Sequence, residues 1–103
     1  MTSVLDGLEP ELLWKHFDEL RKIPRCSKHE EKAIDYIISV AEELELEYKK
    51  DEAGNVVVKK PASQGHEDAP AVVLQGHVDM VCEKNRDKEF DFSKDAIQLK
   101  IED

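Results

Sequence analysis

The stretch AVVLQGHVDMVCE, Ala71 to Glu83, decides how the chain is read. Ala71 to Leu74 form a continuous apolar run, too short and too rich in β-branched residues for a helix and suited to a strand buried on both faces of a parallel sheet. Gly76 and His77 follow one residue later. Reactive groups in open α/β sheets gather just past the carboxyl ends of such strands. With the backbone extended through His77, Val78 and Asp79, the histidine and aspartate share one face about 6 to 7 Å apart along the chain, and Val78 points away. An aspartate at that reach accepts the hydrogen bond of one ring nitrogen, which fixes the tautomer and leaves the other nitrogen's lone pair for a divalent metal. Gly76, without a side chain, permits a tight turn or a close approach just before the histidine.

Working outward, the chain begins with a proline-led helix. Proline is tolerated in a first turn, so Glu9 and Pro10 mark a helix start, and Leu13, Phe17 and Leu20 make one apolar stripe running to about Arg21. Trp14 and His16 lie off that stripe and read as surface or packing residues. Pro24 ends the element at Ile23. Cys26 and His29 have C-x-x-H spacing, which admits a thiol nucleophile or half a zinc site. Ser27 and Glu30, however, fit a capping box in front of the chain's strongest helical pattern, Ala33, Ile34, Ile37, Ile38 and Ala41, which extends to about Leu44.

Glu47 to Asp51 reads as a strand, and Gly54-Asn55 supplies the turn before a second strand at Val56 to Lys59. Pro61 to Pro70, PASQGHEDAP, is an exposed connection in which His66, Glu67 and Asp68 are solvated. Asn85 to Lys88 is a charged loop. Ile97, Leu99 and Ile101 alternate with polar residues at the period of a half-buried strand. The order helix, helix, hairpin, strand, strand implies an α/β sandwich rather than a bundle, with a mixed, partly parallel sheet that is incomplete in this chain.

Composition bounds the function. A chain of 103 residues holds at most one domain, and 24 acidic against 15 basic residues leave a formal charge of −9. Such a surface repels nucleic acid and anionic membranes. No run approaches the length of a membrane span, and MTSVLDGLEP lacks the features of a signal peptide, so a cytoplasmic protein is expected. In that setting Cys26 and Cys82 are expected to be free thiols.

The segment LQGHVDMVCEKN, residues 74–85, resembles the first metal-ligand motif of the aminoacyl-histidine dipeptidases, also called Xaa-His or cytosolic non-specific dipeptidases, which are co-catalytic zinc metallopeptidases. LWKHFDELRKIPRCSKHEEKAIDYI is similar to that family's opening helices, DEAGNVVVKKPAS to its first hairpin and FDFSKDAIQLKIED to the segment after its ligand strand. Carried over residue by residue, the resemblance makes His77 a zinc ligand and Asp79 the catalytic-site residue that orients it. The family's remaining ligands and its general base have no match in these residues. Residues 1–103 are therefore expected to be the amino-terminal portion of the catalytic domain of a longer metallopeptidase. The resemblance implies a pair of zinc ions, dipeptide substrates including Xaa-His, a homodimeric parent, and no activity in this chain alone. A different reading keeps the fold without the chemistry, as an acidic interaction module sharing ancestry with the enzyme.

Overall fold

The computed structural model describes residues 3–102. Four elements follow in order: helix α1, Glu11–Arg21; helix α2, Glu31–Glu43; and strands β1, Glu47–Lys50, and β2, Val56–Lys59. Pro10 stands just ahead of α1 with extended backbone, φ −73° and ψ 134°, and its carbonyl accepts the Trp14 N–H. Among the described residues the core is small and centres on α2. Ala33, Ile34 and Ala41 are buried there, and Leu5 is buried from the opening turn. Ile37 and Ile38 are half-buried, so the predicted face of α2 is the one turned inward.

The end of α2 carries a Schellman motif. The Leu46 N–H reaches the Ala41 carbonyl at 2.8 Å and the Glu45 N–H the Glu42 carbonyl at 3.0 Å, closing carbonyls that the helix leaves open. Glu45 takes the left-handed position, φ 57°, where glycine is usual.

β1 and β2 pair antiparallel, Glu47 with Lys59 through Lys50 with Val56. The expected turn joins them. Gly54 adopts φ 94°, and the Asp51 carboxylate accepts both the Asn55 backbone N–H at 2.8 Å and its side-chain amide at 2.9 Å. These bonds to the ionised form hold the Asp51 pKa below its ordinary value of 3.8.

Four expectations about strands, packing and the cysteines are corrected by the structure. Ala71–Leu74 is not a paired strand among the described residues, and it is open on both faces, with Val72, Val73 and Leu74 at 82%, 86% and 94% exposure. A strand of a parallel sheet needs neighbours on its edges, and none of the described segments lies there. Ile97–Ile101 is likewise unpaired as a strand; Ile97 and Leu99 are half-buried and Gln98 and Lys100 exposed, but Ile101 is exposed too, so the alternation stops short of it. Its backbone is instead tied to the end of α1: the Ile97 N–H donates to the Arg21 carbonyl at 3.0 Å, and Arg21 Nη1 donates to the Ile97 carbonyl at 2.9 Å. On α1 itself Leu13 and Phe17 remain exposed, because no described element crosses that face.

The fourth correction concerns the cysteines. Cys26 and Cys82 form a disulfide, their Cα atoms 5.6 Å apart. A parallel bridge between Cys26 and Met80 sets the two segments side by side, bringing the cysteines within bonding range. Compartment reasoning on its own could not supply that contact.

The chain is thinly packed for its size. Its accessible surface is 9310 Å² at 11.8 kDa, against roughly 5900 Å² for a folded monomer of that mass. Its radius of gyration is 16.5 Å, against roughly 13 Å for a compact domain of about this length.

Candidate metal-binding site

His77 and Asp79 meet as the alternation predicts. His77 Nδ1 lies 2.8 Å from Asp79 Oδ1. Because an ionised carboxylate only accepts, the proton belongs on Nδ1, and Nε2 keeps its lone pair. The ring is 81% exposed and the aspartate 37%. Val78 is half-buried on the opposite face.

The second oxygen of Asp79 has a partner that the sequence pattern did not reveal. Ser27 donates its hydroxyl to Asp79 Oδ2 at 2.6 Å. The predicted capping box is therefore not formed: α2 begins at Glu31, Glu30 stands at its cap, and no side chain bonds the free N–H groups there. Lys28, at φ 71°, turns the chain between Ser27 and the helix, and His29 lies in that turn rather than in the first helical turn. No short-range motif signals the Ser27–Asp79 contact, since the partners stand 52 residues apart. The Ser27 hydroxyl, followed by the His77 hydrogen bond, holds the Asp79 carboxyl below its ordinary pKa of 3.8, against a smaller opposing effect of desolvation.

A short clasp presents Ser27 to the aspartate. The Ser27 N–H donates to the Met80 carbonyl at 3.2 Å and the Met80 N–H to the Arg25 carbonyl at 3.0 Å. The disulfide crosses the same two segments. It also removes Cys26 as a thiol nucleophile or zinc donor in this structure.

The chemistry these residues can offer is that of one oriented imidazole. Nε2 is unbonded among the described residues, exposed, and backed through Nδ1 by a carboxylate, the arrangement in which metal-bound histidines are ordinarily held. The residues fit a divalent metal as one donor of a larger set. Among the described residues no three His, Cys, Asp or Glu side chains come together as a metal-binding group. His66, Glu67 and Asp68 are exposed in their connection, as expected. A nearby cleft of about 380 Å³ is lined by Met80, Phe90 and Phe92 but by neither His77 nor Asp79, which leaves the pair on open surface.

His16 also behaves as read. Its Nδ1 lies 2.7 Å from the Tyr36 hydroxyl, linking α1 to α2 in a packing role. No described helix is long and apolar enough to cross a membrane.

No protein-family model matches the chain. It is 43% identical over 100 residues to the cytosol non-specific dipeptidase of Escherichia coli (strain K12), a match covering 97% of this chain and 21% of that protein. Its structure superposes on the crystal structure of aminoacylhistidine dipeptidase from Vibrio alginolyticus with a TM-score of 0.90 and 44% identity, over 98% of this chain and 20% of that one. The chain thus spans about a fifth of the length of each relative. Over nearly all its length, in sequence and in chain path, it matches that fifth of an aminoacyl-histidine dipeptidase.

Proposed function

We propose that these residues form part of the catalytic domain of a zinc-dependent dipeptidase acting on dipeptides, Xaa-His among them, in the cytosol. The observation that carries the reading is the bond from His77 Nδ1 to Asp79 Oδ1, which leaves Nε2 free and outward. His77 would hold one metal through Nε2. Asp79 would keep the proton on Nδ1 and raise the basicity of the donor nitrogen, a role whose loss lowers metal affinity or activity by about 10- to 100-fold. A pair of zinc ions, when bound, supplies an acidified water and polarises the scissile carbonyl. The remaining donors and the general base would come from outside these residues. The surplus of exposed apolar chain, above all at Val72 to Leu74, supports a larger folded unit in which this segment is covered.

The test compares this chain with the longer protein that contains it. In the longer protein, dipeptide hydrolysis is expected to be abolished by a chelator and by His77→Ala. The 103-residue chain is expected to bind zinc weakly and hydrolyse nothing, because one imidazole falls short of the three or four protein donors zinc takes. Chelator-insensitive hydrolysis, or full activity in His77→Ala, would overturn the reading.

A further inference from the structure

We infer that Ser27 is a positioning residue for the histidine donor: through its hydrogen bond to Asp79 it fixes the carboxylate that selects the His77 tautomer. The inference rests on the reading of His77 as a donor for its purpose, but its geometry stands apart from any metal. The terminal torsion of an aspartate is broad and roughly two-fold, so rotamer preference alone does not aim the carboxylate. Here each oxygen has its own partner, Oδ1 with His77 Nδ1 at 2.8 Å and Oδ2 with the Ser27 hydroxyl at 2.6 Å. Two attachments define the carboxylate plane, whereas one leaves it free to turn.

The serine is held ready for this task. Its backbone N–H is bonded to the Met80 carbonyl, one residue beyond Asp79, and the Met80 N–H is bonded back to Arg25. The disulfide fastens the residue before Ser27 to Cys82. Ser27 is therefore brought to Asp79 by its own backbone rather than by a long, freely rotating side chain. Its hydroxyl is also spared from helix capping, since α2 starts four residues later without a side-chain cap. Asp79 in turn faces His77 at 81% exposure, where water competes for Nδ1 and a loosely held carboxylate loses that competition more readily.

The test reads the tautomer directly. The full chain, labelled with nitrogen-15 at histidine and held in chelator at pH 8.5, well above the ordinary histidine range, is examined by long-range proton–nitrogen correlation. His77→Ala assigns the signal. The wild-type His77 ring is expected to be mainly protonated at Nδ1, Ser27→Ala to shift the majority to Nε2–H, as in free imidazole side chains, and Ser27→Thr to restore it. Unchanged amide spectra away from residues 25–29 and 77–82 identify a folded variant. An unchanged tautomer in folded Ser27→Ala overturns the inference, as does failure of Ser27→Thr to restore it. Zinc titration of the longer protein separates the two readings. If His77→Ala leaves zinc affinity unchanged while the Ser27→Ala tautomer shifts, the metal role fails and the positioning role stands.

Discussion

Opening the Cys26–Cys82 bridge is expected to remove most of the stability of this chain. The bridged cysteines are 56 residues apart in sequence. On the chain-entropy account, closing a loop of that length restrains the unfolded ensemble by about 4 kcal/mol at 25 °C. Whole domains are stable by only about 5–15 kcal/mol, and here the buried apolar residues are Leu5, Ala33, Ile34 and Ala41. The bridge also secures the clasp between residues 25–27 and 79–80, which two backbone bonds and the Ser27–Asp79 hydrogen bond otherwise hold. The assay is urea unfolding followed by far-ultraviolet circular dichroism, on the untreated protein and on protein reduced and alkylated at both cysteines. At a slope of about 1–3 kcal/mol per molar urea, the midpoint should fall by roughly 1–4 M. The Cys26→Ser, Cys82→Ser double variant should match the reduced protein, and the untreated protein should take up no iodoacetamide. Midpoints agreeing within about 0.3 M, or two alkylated cysteines in the untreated chain, would refute the reasoning.

Ile34→Ala should destabilise the chain by about 2–4 kcal/mol, because Ile34 is 5% exposed and its removal opens space beneath the hairpin turn, where its Cδ1 would lie 3.4 Å from a Cβ placed on Gly54; thermal unfolding checks this. Glu45→Gly should stabilise the end of α2 by up to about 1 kcal/mol, since glycine takes φ 57° without the penalty of a side chain; the same melt, run in parallel, reads the opposite sign. Acid should loosen the hairpin turn. The Asp51 pKa is lowered by its bonds to Asn55, so its contribution is fully present above its ordinary 3.8 and is lost as pH falls through the lower folded value. Falling protection of the Asn55 amide, measured against its intrinsic exchange rate as pH drops below 3.8 and absent in Asp51→Asn, is the expected signature.

Both helices and the hairpin were legible because each rests on local information. The apolar spacing of Ala33, Ile34 and Ala41 is a property of α2 alone, and Gly54-Asn55 is a turn whichever sheet it serves. The His77–Asp79 pair was legible for the same reason: two residues on an extended backbone fall on one face by the geometry of the chain itself. The capping box at Ser27 and Glu30 failed because a local pattern met a distant competitor. The serine hydroxyl bonds Asp79, and Lys28 turns the chain away before the helix starts.

By itself, then, the sequence determined the two helices, the hairpin and the face shared by histidine and aspartate, since 3.6- and 2-residue periodicities are written into the order of side chains. Tertiary structure decided what depends on segments far apart along the chain. It paired Cys26 with Cys82, gave Asp79 its second partner in Ser27, tied Ile97 to Arg21, and left Val72 to Leu74 bare. A contact across fifty residues forms only when the backbones between them close the distance, and no pattern of neighbouring residues encodes that closure.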